Sequence, residues 1–170
     1  MGSSEDMGPR PARKRLLLAV VMLCCCGCPE FTPTPVPPPA LLKPVTVKVH
    51  DSSRVVRREA GGEFDGLIVA CEVRDCFGSL VKALGVMRFE VYSYARSQPN
   101  NKGPRVGFWN VPIDSFEAIQ QYWDDIFGVY RFNLKWTRQV KLRERFVVEV
   151  TLTTAQAEQL LDCQVLQARR

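Results

Sequence analysis

From Val45 onward apolar and polar residues alternate with period two, and this narrows the possible folds more than any other feature of the chain. Successive side chains of an extended backbone leave opposite faces, so a half-buried strand shows an apolar residue at every second position. "VTVKV" sets Val45, Val47 and Val49 against Thr46 and Lys48. "GLIVACEVR" aligns Leu67, Val69, Cys71 and Val73 before the turn "DCFG". "VMRFEVYSY" repeats the pattern with Met87, Phe89 and Val91, and "RVGFWNV" with Val106 and Phe108. "VYRFNLKW" offers Tyr130, Phe132, Leu134 and Trp136, and "FVVEVTL" offers Phe146, Val148, Val150 and Leu152. Six strands are expected from these stretches.

One helix is expected among them, over residues 115–127. In "DSFEAIQQYWDDIFG" Asp114 or Ser115 can cap the free N–H groups, with Glu117 placed for a capping pair. Phe116, Ile119, Trp123, Ile126 and Phe127 fall on one helical face, and Gly128 permits a left-handed exit. The tail "TTAQAEQLLDCQVLQ" has two readings, a short helix capped by Thr154 or a closing strand paired with "FVVEVTL". Short apolar runs do not separate these by periodicity. Residues 45–170 are thus expected to form a mainly β domain, an antiparallel β-sandwich with one inserted amphipathic helix.

The chain before this domain is different in kind. "PEFTPTPVPPPALLKP", residues 29–44, holds seven of the twelve prolines. Proline fixes φ and lacks an N–H, so the stretch reads as an extended linker, with a reach of roughly 50 Å at ~3.1 Å per residue. Ahead of it, "RPARKR" is basic and residues 16–26 are an uncharged apolar run. A basic segment followed by a short apolar one is the pattern of a secretory signal, and a spanning helix would need ~20 apolar residues.

The segment 10–28 resembles the signal of bacterial lipoproteins, in which a small residue precedes a cysteine that receives diacylglycerol. In "CCGC" Gly27 precedes Cys28, and the resemblance implies Cys28 as the lipidated residue, with cleavage after residue 27. Cys25 stands where that pattern usually has Leu; the frame "LCCC" gives Cys26 as the alternative. Residues 1–27 are then the signal peptide, and 28–44 the lipidated cysteine and linker. Pro29 follows Cys28, and not the Asp that in some bacteria retains lipoproteins at the inner membrane. The resemblance therefore implies an outer-membrane protein facing the periplasm. Over residues 65–136, "DGLIVACEVRDCFGSLVKALGVMRFEVYSYA", "GFWNV" and "YRFNLKW" are similar to β-sandwich domains of small bacterial lipoproteins, which implies a fold and no activity.

Chemistry-bearing residues are few. His50 is the single histidine and falls at the outward parity of the first strand, so a familiar zinc set cannot be assembled. No hydrolase elbow, metalloprotease helix or phosphate-cradling loop occurs. Asp51, Asp65 and the pair Asp124 and Asp125 are the acids that could gather around calcium, but no EF-hand spacing accompanies them. Cys71 points to the core; of the mature cysteines, Cys76 and Cys163 are the pair placed best for a bridge. Trp109, Trp123 and Trp136 read as core anchors. No catalytic residue, metal or cofactor is expected.

Net charge is +5, and the four basic and two acidic residues within 1–27 reduce it to +3 in the mature chain. That is too mild to indicate nucleic-acid binding. Around "KWTRQVKLRER", Arg138, Lys141, Arg143 and Arg145 could contact an anionic surface. The expected function is a non-enzymatic binding or structural module of the envelope, held to lipid by its acyl anchor and meeting an envelope protein or polymer. The alternatives are a hydrolase using carboxylates and a carrier of a hydrophobic ligand between helix and sheet.

Overall fold

The computed structural model describes residues 42–57 and 64–169, and the signal segment, Cys26, Cys28 and nearly all of the linker lie outside them. The described chain is an antiparallel β-sandwich with one helix. The first sheet contains β1 (Thr46–Val49), β2 (Arg54–Val56), β3 (Phe64–Arg74), β6 (Trp123–Asp124) and β7 (Val129–Val140). β1 and β2 pair in tandem along one side of β3, β7 along the other, and β6 on β7. The second sheet runs β5 (Lys102–Ile113), β4 (Gly85–Tyr94), β8 (Arg145–Thr154), β9 (Gln159–Gln167). All pairings are antiparallel.

The alternating residues meet between the sheets. Leu67, Val69, Cys71 and Val73 of β3 and Phe132 of β7 face Met87, Phe89 and Val91 of β4 and Phe146, Val148, Val150 and Leu152 of β8, all buried. Phe89 and Phe132 touch across the gap with ring centroids 4.7 Å apart. Burying such side chains contributes ~1.5–3 kcal/mol each and supplies the main drive to fold. Polar side chains tie the edges. Val49 N–H donates to Asp162 Oδ2 at 2.8 Å on one side, and Trp136 Nε1 donates to the Val106 carbonyl at 3.2 Å on the other.

The six expected strands are present, as β1, β3, β4, β5, β7 and β8, with three more. The tail takes its strand reading as β9, in register from Arg145↔Gln167 to Thr153↔Gln159. The helix is shorter than expected. α1 (Phe116–Tyr122) is capped by Ser115, whose side chain accepts from Ala118 N–H at 3.2 Å. It stops because Trp123 and Asp124 turn extended and pair with Tyr130 and Val129. Gly128 is left-handed, φ 64°, but closes the β6–β7 turn instead of ending a helix. The expected apolar face is split. Ile119 and Trp123 pack on the core, whereas Phe116, Ile126 and Phe127 are exposed.

In β5 the expected parity also changes partway. Val91 pairs with Gly107 and Tyr92 with Arg105, so Val106 is an extra residue in a bulge. Beyond it Trp109, Val111 and Ile113 turn to the core and Phe108 turns to water.

Candidate functional site

Strand directions define two ends of the sandwich. β1 begins beside Arg74, the end of β3, and Lys43 pairs with Glu158 in the β8–β9 turn. This N-terminal pole also carries the β3–β4 loop, α1 and the β6–β7 turn. The opposite, C-terminal pole carries the β4–β5 and β7–β8 connections and the chain after β9.

The basic cluster expected around residues 138–145 lies at the C-terminal pole, and its members differ in what they face. Arg138 is neutralised by Glu144 and lies 5.5 Å from the Phe146 ring centroid. Arg145 stacks 3.8 Å from the centroid of Tyr94. Lys141 and Arg143 are exposed in the β7–β8 turn, where Arg143 adopts φ 66° and Glu144 accepts the Lys141 N–H at 2.9 Å. The structure thus brings together three outward cations, Lys141, Arg143 and Arg145, and assigns Arg138 a pairing role.

Charge pairing separates the poles more widely. At the N-terminal pole Lys43 pairs with Glu158, Arg74 with Glu72, Lys82 with Asp125 and Arg131 with Asp124. Among the described residues Arg54, Arg57, Arg96, Arg143, Arg145 and Arg169 have no carboxylate in an ion pair, and all six lie in the half of the domain toward the C-terminal pole.

Three of these arginines border one groove. Where β2 and the end of β9 diverge, a depression of about 910 Å³ is lined by Arg54, Arg57 and Arg169 together with Asp51, Gln164 and Gln167, over Val55 and Leu166. Arg57 lies over the Phe64 ring at 4.2 Å. Gln164 Nε2 donates to Asp51 Oδ1 at 3.0 Å, which leaves its buried Oε1 without a hydrogen-bond partner. Gln167 Nε2 donates to the Arg143 carbonyl at 3.2 Å, connecting the groove to the β7–β8 turn. Sequence reasoning missed this site because its residues come from opposite ends of the domain, and only the approach of β1–β2 to β9 joins them. The signal available was "RVVRR", a basic run beside a turn.

The carboxylates that do meet are Glu90 and Glu149, direct cross-strand partners on the outer face of the second sheet. Each has its own cation. Arg105 Nη1 donates to Glu90 Oε1 at 2.6 Å, and Lys102 binds Glu149. Burial alone would raise the Glu90 pKa, but the hydrogen bond from Arg105 and the charges of Arg88 and Arg105 outweigh it and hold the carboxyl below its usual range. A general acid at neutral pH requires the opposite shift.

The other candidate residues occupy structural positions. His50 follows β1; its Nδ1 accepts from Ser52 N–H at 3.2 Å and lies 2.8 Å from Ser52 Oγ, while Nε2 is 3.7 Å from Glu72 Oε1. A serine, a histidine and a glutamate in sequence suggest acyl transfer, but Ser52 reaches the ring through a two-residue turn and Glu72 is held by Arg74 at 2.6 Å. Asp51 and Asp65 are not brought together. His50 N–H binds the Ala70 carbonyl, and β2 intervenes, so Asp65 lies roughly 17 Å farther along β3. No group of three metal-ligating side chains gathers among the described residues. Trp136 is buried, and Trp109 and Trp123 pack against the core. Cys71 is buried, which pushes its thiol far above the ordinary value. Cys76 and Cys163 are exposed and not bridged.

No described helix is long and apolar enough to cross a membrane. No family model, curated protein or solved structure matches this chain.

Proposed function

We propose that this chain is an exported lipoprotein, acylated on Cys28, whose β-sandwich is a non-enzymatic module that binds a polymer of the cell envelope. The observation that carries the reading is the order of segments: basic residues 10–15, the apolar run 16–26, Gly27 and Cys28, then the proline-rich linker. A diacylglycerol supplies two chains, and two chains hold a protein firmly where one holds only marginally. The domain supports the binding half of the proposal. Among the described residues, the arginines without a carboxylate in an ion pair gather in the half of the domain toward the C-terminal pole. Lys141, Arg143 and Arg145 point outward there and are the proposed contact of an anionic polymer. Binding is favoured over a carboxylate hydrolase because the adjacent carboxylates, Glu90 and Glu149, are each bound by a cation.

The test is mass spectrometry of the membrane-extracted protein. The expected N-terminus is a diacylglyceryl-modified Cys28 with nothing before it, and Cys28→Ser is expected to block acylation and processing. Normal processing and membrane retention of Cys28→Ser would refute the anchor, and acylation at Cys26 would shift it by two residues.

A further inference from the structure

We propose that the β2–β9 groove binds an anionic oligosaccharide, a run of sugar rings bearing carboxylate or phosphate groups. The inference rests on the proposed function and names the chemistry of its polymer. Three features of the groove lead to it.

The first is the arginines. Arg54, Arg57 and Arg169 line one depression and have no carboxylate in an ion pair among the described residues. Guanidinium is a planar fork that matches carboxylate or phosphate through two parallel N–H bonds. Their present hydrogen bonds use little of that capacity: Arg54 Nη1 donates to the Ser52 carbonyl at 3.3 Å, and Arg169 Nε to Gln167 Oε1 at 3.4 Å.

The second is Gln164. Its Oε1 is a buried acceptor without a partner, and buried polar atoms are nearly always hydrogen-bonded. Gln164 thus sets a side-chain amide beside the arginines, a lining that suits an occupant with hydroxyl groups as well as negative charge. A simple polyphosphate has anions and no such groups, whereas a charged sugar has hydroxyls beside its anion.

The third is the floor. Val55 and Leu166 are buried hydrophobic residues beneath the polar rim. Sugar rings present C–H faces to such a surface and hydroxyls to its border. The volume of about 910 Å³ is in the range of small-molecule sites and suits a few rings at a time.

Full-length acylated protein in nanodiscs of zwitterionic lipid is titrated calorimetrically with a short oligogalacturonate, a glycerol-phosphate oligomer, polyphosphate, polyglutamate and neutral dextran. Binding of the oligogalacturonate or the glycerol-phosphate oligomer is expected, and which of the two binds tighter assigns the anion as carboxylate or phosphate. Arg57→Gln and Arg169→Gln should each weaken it about tenfold. Arg96→Gln removes a carboxylate-free arginine in the β4–β5 connection, outside the groove, and should leave affinity unchanged. Gln164→Leu should weaken oligosaccharide binding and not the weaker binding of polyphosphate. Equal affinity for polyglutamate, equal loss with Arg96→Gln, or no loss with Arg57→Gln and Arg169→Gln would each overturn the proposal. Failure here is distinct from failure of the anchor: missing acyl mass on Cys28 refutes the lipoprotein, while an acylated protein that ignores both oligosaccharides refutes the groove alone.

Discussion

At the N-terminal pole the loop cations face carboxylates, and the tips are apolar: Phe77, Phe116, Ile126 and Phe127 all stand in water. Toward the C-terminal pole lie arginines that, among the described residues, have no carboxylate in an ion pair, and Glu144 is committed to Arg138. Both ends cap the same core, and that core is apolar, so it does not itself require either chemistry. Exposed ion pairs contribute only ~0–1 kcal/mol, and a concentration of like charge opposes the compact state. The carboxylate-free arginines are therefore a small cost to folding. That makes the C-terminal pole the end where a function other than stability is to be sought.

The largest effect is expected where both poles share one cooperative core. Trp136 is buried at the side of the C-terminal pole, 4.7 Å from the Phe146 ring, and bonds across the sheets to Val106. Trp136→Ala is expected to cost ~3–5 kcal/mol by leaving a cavity. Thermal unfolding followed at both poles should show a single lowered transition; two separate transitions would mean the poles fold independently.

A smaller effect is expected from the matching anchor at the other pole. The buried Tyr130 hydroxyl donates to the Ala83 carbonyl at 3.0 Å and accepts Ala83 N–H at 2.9 Å, fixing the β3–β4 loop. Tyr130→Phe strands both groups and should cost ~1–3 kcal/mol. Hydrogen exchange should rise at Ala83 and its neighbours, and unchanged exchange there would show that the loop is held by something else.

These two anchors also show how much of the molecule its sequence revealed. Tyr130 and Trp136 belong to the same alternating stretch, and both are buried as the period predicts. Long strands with one buried face were legible because burial imposes the period. β2 and β6 were not, being three and two residues long, below the length at which a period exists. The helix was overextended because an apolar residue at Trp123 fits a helical stripe and a strand paired to Tyr130 equally well, and only the partner decides. The groove was least legible of all: Arg54 and Arg169 are distant in sequence, and no local pattern records that β1–β2 and β9 come together. Of the basic cluster, the sequence identified the charges but not that Glu144 removes Arg138 from the set.

The charge network between the poles has a pH signature. The Glu90 pKa is lowered in the folded protein, so its ionised form stabilises the fold above the unfolded value, near ~4.3. That contribution is lost as pH falls through the folded value. The melting temperature should therefore fall below about pH 4.3, and Glu90→Gln should make that fall shallower. An equally steep decline in the variant would place the acid sensitivity elsewhere.

Glu144→Gln sharpens the contrast by making the C-terminal pole still more basic. It frees Arg138 but retains a side chain able to accept the Lys141 N–H, so a stability change of no more than ~1 kcal/mol is expected. Binding of an anionic oligosaccharide should tighten a few-fold at low salt, and the gain should shrink at high salt through screening. A variant that binds more weakly would mean that the turn's geometry matters more than its charge.

The smallest effect belongs to the N-terminal pole. Phe77 and Ile126 are 70% and 88% exposed, so replacing both with serine removes almost no buried surface and should change stability by no more than ~0.5 kcal/mol. Oligosaccharide binding at the other pole should not change either. The informative result is a large drop in melting temperature in the full-length protein. It would show that water does not cover these side chains, and that the apolar pole, like the basic one, is a surface with an occupant.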